Sequence, residues 1–125
     1  MCEVLIVNKG KKLNPAQDLM NKDLFKKGYF PINVFGMDDA IGYFLRIRKP
    51  MDIVLSEYSN YDYGEYFKIF KDRIGNIATI GIGPRIIKNG HIDVVVDECQ
   101  VRKTMILDGK KFSFIDWREV LKNFK

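Results

Sequence analysis

The side chains that most often carry out catalysis are scarce in this chain of 125 residues. Its one histidine, His91, falls in a predicted turn, where an exposed histidine is more common than a catalytic base. Its two cysteines, Cys2 and Cys99, are too far apart in sequence to suggest a metal site or a disulfide framework. We therefore expect free thiols, no metal, no cofactor and no enzymatic activity.

Two other patterns could carry chemistry but favour a structural explanation. The sequence Gly81-Ile82-Gly83-Pro84 follows a predicted strand, as a phosphate-binding loop does. However, Pro84 removes an amide donor and no helix start follows, so we interpret the segment as a strand end that needs tight packing. The carboxylate pairs Asp38-Asp39 and Asp97-Glu98 are more typical of helix caps or solvated surface than of an acid pair.

The charge balance limits the choice of partners. The formal net charge is +5, and basic residues outnumber acidic ones by nine to seven in residues 1–60 and by twelve to nine in residues 61–125. Nucleic-acid-binding proteins more often concentrate basic residues on one arm or helix, so nucleic-acid binding stays open but is not favoured. No apolar run approaches the roughly 18 residues of a membrane helix, and no signal peptide is apparent. We expect no membrane partner and a cytoplasmic location.

The predicted fold is organised around residues 53–55, a continuous apolar run between Pro50 and the polar pair Ser59-Asn60. A short run rich in β-branched residues between such breakers is typical of a strand buried on both faces. The rest of the chain can be placed on either side of this strand.

The residues before this strand predict a strand over 3–7, a helix over 15–27 and a strand over 30–35. Asn14 and Pro15 form the helix start, and Gly28 follows its end. Pro31 indicates an edge position or a bulge for the second strand.

Residues 37–48 are ambiguous. The spacing of Ala40, Phe44 and Leu45 predicts a helix, whereas Tyr43, Leu45 and Ile47 alternate as in a strand. Gly42 also weakens a helix. We favour the helix and leave the strand open.

The second half of the chain predicts a helix over 65–74, a strand over 77–82 and two β-hairpins. The hairpin turns are Asn89-Gly90 and Asp108-Gly109, and a C-terminal helix covers residues 116–124. The chain is therefore predicted to be one domain over residues 1–125, of the α+β class, with a mixed sheet and hairpins in its last third.

The segment from Gly28 to Gly83 resembles a response-regulator receiver domain. The similar motifs are Gly28-Tyr29 after the first helix, Asp39-Ala40 at the second, Lys49-Pro50-Met51-Asp52-Ile53-Val54-Leu55 at the third strand, and Gly64 before an apolar helix. This resemblance implies an α/β flavodoxin-like fold as the alternative fold class.

The receiver resemblance also implies that the family's phosphorylation chemistry is missing. The phosphoacceptor aspartate aligns with Glu57 or Ser56, and the acidic metal-binding pair aligns with Asn8-Lys9. The chain would then be a pseudo-receiver, a regulatory binding module that is not phosphorylated in the usual way and that presents the face around Glu57.

The whole chain also resembles small uncharacterised proteins of tailed bacteriophages, whose genes lie among those for capsid and head–tail parts. The similar segments are Met1-Cys2-Glu3-Val4-Leu5-Ile6, Asn14-Pro15, Phe25-Lys26-Lys27-Gly28, Phe44-Leu45-Arg46-Ile47-Arg48-Lys49-Pro50 and Asp116-Trp117-Arg118-Glu119-Val120-Leu121-Lys122-Asn123. This resemblance implies a β-rich core with a strand over 37–48. We place first the function it implies, a non-enzymatic virion subunit such as a head–tail connector or accessory protein, located in the virion and assembled in the host cytoplasm.

The expected contacts are between proteins, namely with other virion proteins and with further copies of the chain. Tyr61 and Tyr63 lie in a tyrosine-rich loop, and Lys110 and Lys111 lie at the second hairpin. Aromatic and basic residues at loop tips are typical of interfaces, so these four are the predicted interaction residues. The alternative for the tyrosines is that two or three of them cover the core.

Overall fold

The computed structural model describes residues 2–46, 51–59, 63–75, 77–83 and 91–122. Five strands form a parallel sheet in the order β2-β1-β3-β4-β5, and two more form a separate antiparallel hairpin, β6-β7. The strands are β1 (Cys2–Asn8), β2 (Tyr29–Phe35), β3 (Ile53–Ser56), β4 (Ala78–Ile82), β5 (Val94–Val96), β6 (Arg102–Leu107) and β7 (Lys110–Ile115). The helices are α1 (Pro15–Lys26), α2 (Met37–Arg46), α3 (Gly64–Ile74), α4 (Glu98–Val101) and α5 (Trp117–Lys122).

Strand β3 occupies the middle of the parallel sheet, as its sequence predicts. All four of its residues are buried, and it pairs with β1 on one side and β4 on the other. One face of the sheet packs against residues of α1 and α5, and the other packs against residues of α2 and α3. Parallel strands covered on both faces are apolar throughout rather than alternating, which explains the continuous apolar run.

The predicted helix start at Asn14 is confirmed. The Asn14 side chain accepts the N–H of Gln17 at 2.8 Å, and Pro15 occupies the first helical position. Helix α1 ends at Lys26, one residue before the predicted end, and Gly28 adopts a φ of +93°. Glycine takes that left-handed conformation without a steric penalty, so the chain turns there into β2.

Strand β2 lies at the edge of the sheet, as Pro31 predicts. Proline has no N–H to donate to a neighbouring strand. Near the other end of the strand, the N–H of Phe35 donates to the carboxylate of Asp39 at 2.9 Å. This edge of the sheet is therefore closed by a proline and by a side-chain hydrogen bond.

Residues 37–46 are a helix, so the favoured prediction is confirmed and the strand implied by the phage resemblance is wrong. Met37, Ala40 and Phe44 are buried at helical spacing in the core beside α3. The Phe44 and Phe70 rings lie 4.6 Å apart between centroids. This aromatic contact holds the apolar stripe of α2 against α3, and packing outweighs the low helix propensity of Gly42. Residues 47–48 lie outside the described residues.

The last third of the chain differs in part from the prediction. The hairpin at Asp108-Gly109 is confirmed, with φ values of 51° and 77° that suit a tight two-residue turn. The turn at Asn89-Gly90 lies outside the described residues, and the strand that follows it, β5, pairs in parallel with β4. The α+β class therefore holds, but the strands form two sheets instead of one mixed sheet.

The C-terminal helix begins at Trp117, one residue after the predicted start. Asp116 precedes α5 and accepts the N–H of Arg118 at 3.2 Å and its Nε at 2.8 Å. Lys103 binds the other oxygen of Asp116 at 2.7 Å. Burial raises the pKa of Asp116, but Arg118 and Lys103 outweigh it, so the pKa lies below its ordinary value. The predicted residues 123–124 lie outside the described residues.

The Gly81-Gly83 segment is the tightly packed strand end that was predicted. A Cβ atom at Gly81 would lie 2.7 Å from the Cβ of Ser59 and 3.2 Å from the carbonyl oxygen of Tyr58. The Ser59 hydroxyl donates to the carbonyl of Ile82 at 2.5 Å. The segment after β3 therefore crosses directly beside the end of β4.

We predict opposite effects of Gly→Ala at two positions. Gly81→Ala should lower the free energy of unfolding by about 1–3 kcal/mol, because the added methyl group overlaps Ser59. Gly42→Ala should raise it by about 0.5–1 kcal/mol, because the position is helical with open space around it. Urea unfolding of both variants measures the difference, and equal effects would contradict the close approach at Gly81.

Candidate functional site

The candidate site lies where the strand order reverses. The chain continues from β1 outward to β2 on one side, whereas β3 and the strands after it lie on the other side. In an open parallel sheet, the carboxyl ends of the strands form a crevice at this point, and ligands commonly bind there. A cleft of about 370 Å³ opens here, between the loop after β1 and the β6-β7 hairpin.

Glu57 is the acidic residue of this cleft. It follows the last residue of β3, and its backbone N–H donates to Val7 at 3.0 Å. Its side chain is 15% exposed; one oxygen accepts the N–H of Lys9 at 2.5 Å, and the other lies 3.7 Å from the guanidinium of Arg102. Burial raises the pKa of Glu57 above its ordinary value of 4.5, and the Lys9 N–H and Arg102 only partly oppose this rise.

Arg102 joins the end of β3 to the hairpin. Its guanidinium lies 2.6 Å from Glu98 and 3.7 Å from Glu57, and it donates to the hydroxyl of Ser113 at 3.0 Å. Arg102 is the first residue of β6 and pairs with Ile115, and Ser113 lies two residues before Ile115 in β7. One cation therefore contacts two acidic residues and both hairpin strands.

The hairpin is fixed to α1 by two amide side chains. The Gln17 side chain forms two hydrogen bonds to the backbone of Ile115: its Nε2 donates at 3.1 Å and its Oε1 accepts at 2.9 Å. Asn14 donates to the carbonyl of Ser113 at 2.7 Å. Gln17 is 9% exposed, and buried hydrogen bonds of this kind are costly to break. The wall of the cleft therefore has a defined position.

Three tyrosines, Tyr58, Tyr63 and Tyr66, form a row that begins next to Lys9, a residue of the cleft. The rings of Tyr58 and Tyr63 lie 4.6 Å apart, those of Tyr63 and Tyr66 lie 5.9 Å apart, and Lys9 Nζ lies 5.6 Å from the centre of the Tyr58 ring. All three rings are partly buried against the core beside α2 and α3. These tyrosines cover the core and leave part of each ring accessible.

The four predicted interaction residues are not all described. Tyr61 lies outside the described residues, and Tyr63 packs between two other tyrosines. Lys110 and Lys111 are exposed at the hairpin turn. Among the described residues, no contact joins Tyr63 to either lysine, so the structure places them in two separate regions. Their role in binding stays a prediction.

The sequence analysis missed Arg102 as a site residue. Its partner Glu57 lies far from it in the sequence, with α3, β4 and β5 between them. No local spacing pattern predicts a contact between residues so far apart. Glu57 and the pair Asn8-Lys9 were marked only through the receiver resemblance. The general rule that side chains after parallel strands meet at one edge could have brought these positions together.

The described part of the chain offers neither a metal site nor a membrane span. No group of three or more His, Cys, Asp and Glu side chains among the described residues could hold a metal ion. None of the described helices has the length and apolar character needed to cross a bilayer. Comparison with known proteins found no family model, no curated protein and no solved structure that matches this chain.

We predict that Glu57 makes stability depend on pH with a defined sign. Because the pKa of Glu57 is raised in the folded protein, the folded state binds a proton more tightly than the unfolded state does. Protonation of Glu57 therefore favours folding, and this stabilisation is lost as the pH rises from 4.5 through the raised pKa. The free energy of unfolding of the wild type, minus that of Glu57→Gln, should therefore fall as the pH rises from about 4 to about 7. Urea unfolding at several pH values measures it.

Glu98→Gln is the matched control, because it removes the other carboxylate partner of Arg102 at a more exposed site. The free energy of unfolding of the wild type, minus that of Glu57→Gln, could instead stay constant or grow as the pH rises. Either result would contradict the burial of a carboxylate in this cleft.

Proposed function

We propose that this chain is a non-enzymatic regulatory binding module of the receiver type, in which Glu57 replaces the phosphoacceptor residue. One observation carries the proposal: a largely buried carboxylate follows the central strand at the strand-order reversal and is held by the Lys9 N–H and Arg102. The strand order 2-1-3-4-5 of the parallel sheet supports it, because flavodoxin-like folds, which include receiver domains, share that order.

The residues around Glu57 explain why the module would act without phosphorylation. In receiver domains, acidic residues after the first strand bind the metal ion that phosphoryl transfer needs. Here Asn8 and Lys9 occupy that place, and an amide with an ammonium group does not attract a divalent cation. The Glu57 carboxylate would supply a negative charge without phosphorylation, and its contact with Arg102 would link that charge to the position of the hairpin.

We predict that restoring the acidic residues creates a divalent-cation site. The variant Asn8→Asp/Lys9→Asp/Glu57→Asp should bind Mn²⁺ or Mg²⁺, because three carboxylates would meet at the ends of β1 and β3. Paramagnetic broadening of backbone amide signals by Mn²⁺ measures binding. Transfer of a phosphoryl group from acetyl phosphate, followed by intact mass, gives a second readout.

The control is Glu57→Asp alone, which should bind no Mn²⁺ because Lys9 remains. Since Asn8 is buried and hydrogen-bonded, the variant Lys9→Asp/Glu57→Asp serves as a milder second test. If both multiple variants fold and neither binds a divalent cation, the receiver-type proposal is wrong.

A second candidate function is the virion subunit, and one observation favours it. Ile106 is 72% exposed and lies opposite Lys111 on the hairpin, next to Lys110 at the turn. A large exposed aliphatic side chain beside basic residues suits contact with a second copy or another virion protein. We propose that the hairpin surface of Ile106, Lys110 and Lys111 makes that contact.

This second candidate predicts self-association that depends on the hairpin surface. Sedimentation velocity at increasing concentration should show larger species for the wild type and a clear shift toward monomer for Ile106→Ser. Leu45→Ser is the matched control, because Leu45 is also exposed (55%) but lies on α2. A wild type that is monomeric throughout, or an equal shift for Leu45→Ser, would contradict the assembly surface.

A further inference from the structure

We propose that the cleft beside Glu57 binds a small phosphate ester that carries hydroxyl groups, of the sugar-phosphate class. This inference names a ligand for the binding module proposed above, and it rests on that role only for the location of the site. The observations that carry it are the cleft, its net positive lining and an open amide oxygen, Asn8 Oδ1, that accepts no hydrogen bond from the described residues.

The size and position of the cleft suit a small ligand. Its volume of about 370 Å³ falls at the low end of the roughly 300–1,000 Å³ of most ligand pockets. It lies at the carboxyl ends of β1 and β3, where parallel sheets commonly bind ligands. It is therefore large enough for a sugar phosphate and small for a folded partner.

The charged lining of the cleft is positive overall. The cations Lys9, Lys12 and Arg102 line it together with a single carboxylate, Glu57. The oxygens of Glu57 face the Lys9 N–H and the Arg102 guanidinium. Arg102 also pairs with Glu98 at 2.6 Å, so the excess positive charge of the lining comes from Lys9 and Lys12. Lys12 forms no ion pair with any described residue, so its ammonium group is free to meet an anion.

The loop after β1 also presents unpaired amide donors. The backbone N–H groups of Gly10, Lys11 and Lys12 donate to no acceptor among the described residues, and all three residues are exposed. Consecutive amides flanked by two lysines match a tetrahedral oxyanion, which accepts several hydrogen bonds at once. This part of the cleft favours a phosphate group.

Asn8 supplies the independent observation that points to hydroxyl groups. It lines the cleft and is 3% exposed. Its Nδ2 donates inward to the carbonyls of Ile6 and Val34 and to the Oδ1 of Asn33. Its own Oδ1 accepts no hydrogen bond from the described residues and keeps some solvent exposure, so an acceptor is open toward the cleft. A ligand hydroxyl donating to this oxygen would satisfy it.

The Glu57 carboxylate would also shape the specificity of the site. It repels a bare dianion but accepts a hydrogen bond from a hydroxyl group. A sugar phosphate with its phosphate toward Lys12 and its hydroxyls toward Asn8 and Glu57 meets both demands. Inorganic phosphate meets only the first, and a free sugar only the second.

The test is a titration of the full chain with three probes: ribose 5-phosphate, inorganic phosphate and ribose. Amide signals in ¹H–¹⁵N spectra report binding. Ribose 5-phosphate should give saturable shifts at Gly10, Lys11 and Lys12, inorganic phosphate should bind at least about fivefold more weakly, and ribose should bind more weakly still.

Lys12→Ala should weaken ribose 5-phosphate binding by about fivefold or more. Lys68→Ala, which removes an equal charge from an exposed position on α3 outside the cleft, should leave the binding constant unchanged.

Three results would overturn the inference. The first is that ribose 5-phosphate gives no saturable shift. The second is that Lys12→Ala and Lys68→Ala weaken binding equally. The third is that inorganic phosphate binds as tightly as the ester. The divalent-cation variants test the receiver-type proposal separately. If the wild type binds the ester but those variants bind no divalent cation, only the receiver-type proposal is wrong. If the variants bind a divalent cation but the wild type does not bind the ester, only this inference is wrong.

Discussion

The burial of β3 on both faces is the constraint on which the rest of the structure depends. Four consecutive buried residues in the middle of a sheet require a cover on each face. The helices α1 and α5 supply one cover, and α2 and α3 supply the other. With both faces occupied, the strand ends remain accessible, so polar residues that follow the strands are the ones that can meet a ligand.

The hairpin changes what those strand ends can do. It contributes Arg102 to the cleft beside Glu57, and Gln17 and Asn14 hold it to α1 through backbone hydrogen bonds. A bond to backbone atoms specifies a position whatever side chains the hairpin carries. The cleft therefore has one wall from the sheet and one from the hairpin, and the Glu57–Arg102 contact spans the two.

Elements that depend on neighbouring residues could be predicted from the sequence. Pairings between residues far apart in the chain could not. The cap at Asn14, the turn at Asp108-Gly109 and the buried run of β3 each depend on neighbouring residues, and each was placed correctly. The parallel pairing of β5 with β4 was missed, because turn residues before a strand do not reveal its partner. The site was half predicted for the same reason: Glu57 was marked through a resemblance, whereas Arg102 reaches it only through the fold.

The closed edge at β2 has a consequence for the behaviour of the protein in a crowded solution. Pro31 has no N–H, and the N–H of Phe35 already donates to Asp39, so two positions of β2 offer no amide to another chain. Sheets that cannot add strands resist runaway growth into aggregates. Strand addition from another chain is therefore disfavoured at β2, which lowers the tendency of the protein to aggregate through this edge of the sheet.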